Sequence, residues 1–258
     1  MGAEVTTGGP RSRADEIADA IRAAITSGEY TPGMRLPPED DLARTYGVSR
    51  PVVNAAERIL RAEGLIRTER GRGTIVTEIP VIRRRAATRY RRDTRELGGS
   101  RGAFDTEIRG MGHEPRSDVE VTIADPPLEV ARALELPAGE QVVIRKRRMY
   151  ADGIPVQLAT SYIPASIAVG TPIADVDSGP GGIISRMAEL GYAQVRITET
   201  VRWRPPTEEE TAFLRLDKGQ AVAEIWHTGW TAEGRPVEIM RSAVPAWQWQ
   251  FDYEWQIT

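Results

Sequence analysis

The chain has 258 residues, no cysteine, two histidines and a formal net charge of −3, with 40% hydrophobic and 28% charged residues. That length suffices for two ordinary domains, each with a core of its own. The missing cysteines exclude a disulfide framework and a thiolate metal site, and His113 and His227 are too few for a histidine cluster. No apolar run approaches the roughly 20 residues that span a bilayer, and there is no signal-peptide core, so the expectation is a soluble cytoplasmic protein without metal or cofactor.

Residues 1–10 are small, polar and Gly-rich, which predicts a disordered tail. Residues 11–78 read as one domain. From Arg11 to Gly28, Ile17, Ala20, Ile21, Ala24 and Ile25 have helical spacing, and Gly28 with Pro32 ends the run. Leu42, Ala43 and Tyr46 predict a short helix stopped by Gly47, with Val48 plugging the turn. Ser49 is placed to accept a hydrogen bond from the free amides of a second helix, whose first turn holds Pro51. That helix, from about Arg50 to Glu63, turns Val53, Ala56, Ile59 and Leu60 inward and leaves Arg50, Asn54, Arg58 and Arg61 outside. After Gly64, Leu65–Thr68 and Thr74–Thr77 alternate as a ribbon around the basic tip Arg70–Gly73.

Helix, Gly-x-Ser turn, helix and ribbon, in that order, form a winged helix-turn-helix, and this points to duplex DNA. Arginine forks match guanine edges or phosphates, and an asparagine amide matches adenine. Arg72, between two glycines, suits a minor groove. A solvated charged face on a helical hairpin would explain any one piece, but not their order.

Residues 79–101 carry eight arginines against Asp93 and Glu96 and end in Gly98, Gly99 and Ser100. They read as a basic linker able to touch phosphates without reading sequence. With this linker included, residues 1–101 carry 19 Lys and Arg against 14 Asp and Glu, a net +5, and residues 102–258 carry 15 against 23, a net −8. The division suggests a DNA-binding half joined to an acidic half.

Residues 102–258 contain an internal repeat. Pro126 to Pro164 parallels Pro205 to Pro245, each copy with a Pro-Pro start, a short helix ending in Leu-x-Leu, and two strands separated by a Gly turn. The copies are expected to pair in one antiparallel sheet with pseudo-twofold symmetry. Between them, Gly179 to Gly191 predicts a helix through Ile183, Ile184, Met187 and Leu190. Arg145 and Arg147 leave the same face of a predicted strand and could clamp a phosphate or carboxylate, although a solvated basic strand has the same pattern. The amides of Gly181 and Gly182 at a helix entry favour an anion, unless the glycines only make a turn. Core packing is the better reading of Trp226, Trp230 and Tyr162 at alternating strand positions.

Ser27 to Ala43, Val48 to Arg50, Ala62 to Ile66 and Gly71 to Thr74 resemble the GntR family of bacterial transcription regulators. LELPAGEQVV, YADGIPVQLATSYIP and EGRPVE resemble the UTRA effector-binding domain of its HutC branch, a fold shared with chorismate lyase. The resemblance implies an α+β protein with an N-terminal winged helix-turn-helix and a C-terminal mixed or antiparallel sheet domain. It places Arg35, Ser49, Arg50, Val53, Asn54, Arg72 and Gly73 where family members touch DNA, and Pro51, Arg58 and Thr74 complete the expected DNA-facing set. It also suggests Glu199, Glu238 and Arg241 for sugar hydroxyls or a ligand amine, although cross-strand ion pairing is an equal reading.

Three residues depart from the family pattern: Asp40 stands where many relatives have arginine, Pro51 where a polar or apolar residue is commoner, and Gln157 where glutamate is frequent. The resemblance implies a homodimer on an inverted-repeat DNA operator, released by a small-molecule, anionic effector. A constitutive DNA-binding dimer is the main alternative. A lyase-like enzyme is weaker, since fold does not carry function and no catalytic arrangement is evident.

Overall fold

The computed structural model describes residues 11–69, 71–78 and 81–255. The expected tail over residues 1–10, and Arg70 at the ribbon tip, lie outside the described residues. The chain divides into two compact units, residues 1–80 and 81–258.

In the first unit, α1 (Arg13–Ser27) opens with a reciprocal Ser12–Asp15 capping box and closes at Gly28, whose φ of 83° suits a residue without Cβ. α2 (Glu39–Tyr46) stops at Gly47 in the same left-handed conformation, φ 63°. α3 (Arg50–Ala62) carries Pro51 in its first turn. The Ser49 side chain makes no cap hydrogen bond, contrary to expectation, and only its carbonyl enters the helix ladder, accepting from Val52 and Val53 amides at 3.0 and 3.3 Å. β1 (Ile66–Glu69) and β2 (Gly73–Val76) form the antiparallel ribbon, in register from Ile66 opposite Val76 to Glu69 opposite Gly73. An antiparallel bridge from Arg35 to Ile75 adds a third segment. Ile17, Ile21, Leu42, Val53, Ala56, Leu60 and Ile66 make one apolar core, where each large side chain contributes about 1.5–3 kcal/mol by leaving water.

The second unit begins with the supposed linker, which is folded. β3 (Ile82–Arg85) pairs in parallel with β10 (Trp249–Asp252), and α4 (Arg92–Arg95) and α5 (Ala103–Gly110) follow β3. The reading of 79–101 as a linker is therefore corrected for its described residues. Arg84, Arg89 and Arg95 are buried, which an exposed tether could not provide. The charge division falls with it, because residues 1–80 carry 11 Lys and Arg against 12 Asp and Glu, and residues 81–258 carry 23 against 25.

The remaining strands are β4 (Pro115–Ala124), β5 (Val142–Ala151), β6 (Ile154–Pro164), β7 (Arg196–Arg204), β8 (Val222–Trp230) and β9 (Pro236–Pro245). They form one six-stranded sheet in the order β4-β5-β6-β9-β8-β7, antiparallel throughout. The two repeats thus meet at the central β6–β9 pair, as their pseudo-twofold relation requires. Short helices α6 (Leu128–Ala133) and α9 (Glu208–Leu214) precede β5 and β8. Alternation divides the sheet's two faces. Val142 and Ile239 pack under α6 with Tyr162 and Trp226, so these two aromatics are core residues. Val143, Ile163 and Val237 pack with Ile167 of α7 (Ala165–Ala168) and Met187 of α8 (Gly182–Glu189).

Candidate functional site

On the first unit, Arg50 heads α3 and is exposed, with Pro51 and Arg58 exposed and Asn54 half-buried on the same helix. Glu39 of α2 accepts from Arg50 Nε and Nη2 at 3.2 and 3.1 Å and from Asn54 Nδ2 at 3.1 Å. One carboxylate therefore aligns two of the expected base-reading side chains. Val53 is 0% exposed, so its expected DNA contact is corrected: it faces the core, where a β-branched side chain fills the α1–α3 contact.

The ribbon follows a similar logic. Gly73 has φ 85°, and a Cβ there would stand 3.0 Å from Arg35 Nε, so glycine lets the exposed Arg35 lie against the wing. Arg35 and Arg58 have no acidic partner among the described residues, and Arg72 is exposed at the ribbon turn. Thr74 is half-buried and donates to the buried Glu57 at 3.3 Å, which also accepts from Arg61 at 2.9 Å. Burial pushes the Glu57 carboxyl up against the opposing charge of Arg61.

The second unit encloses a cavity of about 520 Å³ on the α8 face of the sheet, lined by Arg145, Arg147, Gly181, Gly182 and Glu238 among the expected residues. Arg147 donates to Ser161 Oγ at 2.8 Å and keeps a buried Nε without a hydrogen-bond partner, and Gln157 keeps a buried Oε1 in the same state. Burial holds the Arg147 guanidinium below its usual range, with Glu238 opposing. Glu238 accepts from Gln194 at 2.9 Å. Seven arginines line the cavity against four carboxylates, Asp105, Glu114, Asp177 and Glu238, which suits a ligand bearing negative charge.

Several expected roles change. Arg145 spends its guanidinium on the carbonyls of Ile173 (2.6 Å), Asp175 and Val176 (3.1 Å), so it braces that segment rather than standing ready for an anion. Burial beside Arg147 pushes its pKa down to about 10. The Gly181 amide donates to Ser100 O at 2.8 Å and the Gly182 amide to Gly179 O at 3.1 Å, so the anion role of these two amides is corrected. Both glycines are there for space: a Cβ would meet Ser185 Oγ at 2.1 Å from Gly181, and Arg101 O at 2.9 Å from Gly182. Arg241 leaves the opposite face, where it pairs with Glu129 at 2.5 Å and Glu224 at 3.4 Å and lies over Trp226. Alternation along β9 separates it from Glu238 and Met240, which line the cavity.

Glu199 does not line the cavity but belongs to a buried network beside it. Its Oε1 accepts from Arg84 and, at 2.6 Å, from Tyr90 Oη, while His227 Nδ1 lies 2.9 Å from Tyr90 Oη. Against the opposing effect of burial, His227, the Arg84 charge and Tyr90 hold the Glu199 carboxyl well below the usual carboxylate range. Nearby, Arg89 pairs with Glu107 at 3.2 Å.

Tyr90, His227 and Gln157 all line the cavity and were missed as site residues. The repeat held the signal for two of them. Val142 faces Pro164 in one copy as Val222 faces Pro245 in the other, so Arg147 corresponds to His227 and Gln157 to Glu238.

Residues 13–76 match the family described as bacterial regulatory proteins, gntR family, and residues 110–248 match the UTRA domain. An uncharacterised HTH-type transcriptional regulator of Streptomyces coelicolor is 31% identical over 93% of this chain and 91% of its own. The histidine utilization repressor of Pseudomonas putida is 27% identical over 92% and 89%. A crystal structure of a GntR-family transcriptional regulator superposes with a TM-score of 0.58 at 29% identity, covering 96% of this chain and 99% of that one. PhnF from Mycobacterium smegmatis shares the fold with a TM-score of 0.60 at 21% identity, covering 94% and 99%. Among the described residues no helix is long and apolar enough to cross a membrane. The chain belongs to the GntR family of bacterial transcription regulators, in the HutC-like branch that joins a winged helix-turn-helix to a UTRA effector-binding domain, and is a regulator rather than an enzyme.

Proposed function

We propose that this protein is a cytoplasmic, dimeric repressor that sits on an inverted-repeat operator and is released by a small anionic effector. Each copy presents Arg50, Asn54 and Arg58 of α3 to a major groove, while Arg35, Arg72 and the Gly73 backbone serve the adjacent minor groove, with Ser49, Pro51 and Thr74 at the margins. Relatives whose names state a repressor function, for histidine utilization and for mannosyl-D-glycerate transport and metabolism, support the sign of regulation.

The observation that carries the effector reading is the cavity of about 520 Å³ whose lining includes Arg147 and Gln157, each with a buried polar atom lacking a partner. Leaving such atoms unpaired costs about 1–3 kcal/mol each, and a ligand bearing both an anion and hydrogen-bond donors would recover this. A difference of a few kcal/mol between free and occupied states is enough to shift DNA affinity.

One observation favours a constitutive dimer instead: Arg145, the expected clamp, is already committed to backbone carbonyls. A thermal-shift screen of phosphorylated sugars, amino acids, nucleotides and aromatic acids, followed by operator release, separates the two. A hit should stabilise the protein and free the DNA, and Arg147→Ala should abolish that response while keeping operator binding. Absence of any stabilising compound moves the assignment to the constitutive dimer.

A further inference from the structure

The first turn of α2 carries three consecutive acids, and their environments differ. Asp41 pairs with Arg44 of its own helix. Glu39, with its side chain 28% exposed, bridges Arg50 and Asn54. Asp40 is 68% exposed and places Oδ1 3.3 Å from Nε of Arg50, itself 60% exposed. A bare helix start at this place would attract a DNA phosphate, but Glu39 and Asp40 repel one. An ion pair this exposed is weak, so the Asp40–Arg50 contact yields readily to groups in a groove.

The chemistry of the major-groove edge matches such a pair. Guanine offers O6 and N7 to an arginine, whereas cytosine N4 and adenine N6 are the donors an acidic side chain can accept from. Two side chains 3.3 Å apart cover about one base-pair step. We propose that Asp40 is a specificity determinant: it accepts from the amino group of a cytosine or adenine beside the guanine read by Arg50, while Glu39 positions Arg50 and Asn54 from behind. The inference rests on α3 being the base-reading helix, as assigned above.

Operator selection from a pool of randomised duplexes with the full-length protein, followed by affinity measurements on single-base variants, tests this. The wild type should enrich a guanine flanked by an amino-bearing base. Asp40→Ala should reduce discrimination at that one position by about 5- to 100-fold with other positions unchanged. Asp40→Asn should move the preference toward adenine, whose N6 and N7 match an amide, a result that a purely structural role would not give. Asp40 is exposed, so both variants should fold, as thermal unfolding would verify. The proposal is overturned if Asp40→Ala keeps the base preference, or raises affinity equally for every sequence, which would leave only charge repulsion. Uniform loss across all sequences with Arg50→Ala would instead overturn the base-reading assignment of α3 and take the Asp40 proposal with it.

Discussion

The exposed arginines on the winged helix-turn-helix and the three buried ones within residues 82–95 have opposite surroundings. Arg35, Arg50, Arg58 and Arg72 are exposed, and Arg50 is held only by acids that are themselves at least partly exposed. Arg84 is fully buried against Glu199, Arg89 is 5% exposed beside Glu107, and Arg95 is 6% exposed and donates to Ser185 Oγ at 2.6 Å. The first group stands where a partner outside the chain can reach it. The second is engaged within the chain, and removing Arg84 or Arg89 leaves a largely buried carboxylate uncompensated. An arginine run therefore says little until the acids that face it are known.

The largest expected effect follows from the buried set. Arg84→Ala should cost the second unit about 3–5 kcal/mol, because it strands the Glu199 charge, and urea unfolding would measure it. A loss below about 1 kcal/mol would erase the distinction between the two groups. The same pair makes stability acid-sensitive. Since the folded Glu199 carboxyl titrates below its ordinary value of 4.5, its contribution is present above that pH and is lost as pH falls through the folded value. Glu199→Gln should flatten this acid limb, and an unchanged pH profile would place the sensitivity elsewhere.

Arg50→Ala tests the exposed set. Thermal stability should change by less than about 0.5 kcal/mol, while affinity should fall by about 1–3 kcal/mol and choice relax at one base pair. A large stability loss would mean that Arg50 is structural after all. The smallest effect expected is that of Ser49→Ala. An N-cap serine ordinarily contributes about 1 kcal/mol, but this hydroxyl makes no cap bond, so unfolding should shift by only a few tenths. A full capping loss would show that the bond forms in solution.

The helix-turn-helix was legible almost residue by residue because it is built from short-range signals. Gly28 and Gly47 stop helices through φ values only glycine adopts easily, and a one-residue shift of the ribbon, from Leu65–Thr68 to Ile66–Glu69, is the scale of the misreading. Val53 was misplaced only in function, since its helical spacing had already turned it inward. The cavity was legible in part. Strand alternation put Arg145 and Arg147 on one face, and the repeat predicted that its two copies share one antiparallel sheet. Which donors would be spent was not readable, because the carbonyls of Ile173, Asp175 and Val176 come from a loop about thirty residues away along the chain.

Local chain chemistry was thus enough for the α+β class, the winged unit, the repeat and the family. It acts through caps, turns and periodicity within a few residues, and these need no distant partner. Only tertiary structure decided that residues 82–95 fold into the second unit, that Arg241 pairs with Glu129 and Glu224, that Glu199 joins a buried ion pair, and that Glu39 and Asp40 grip Arg50. Each of those outcomes depends on which charges meet across long sequence separations or across a turn, and on the burial that sets their strength.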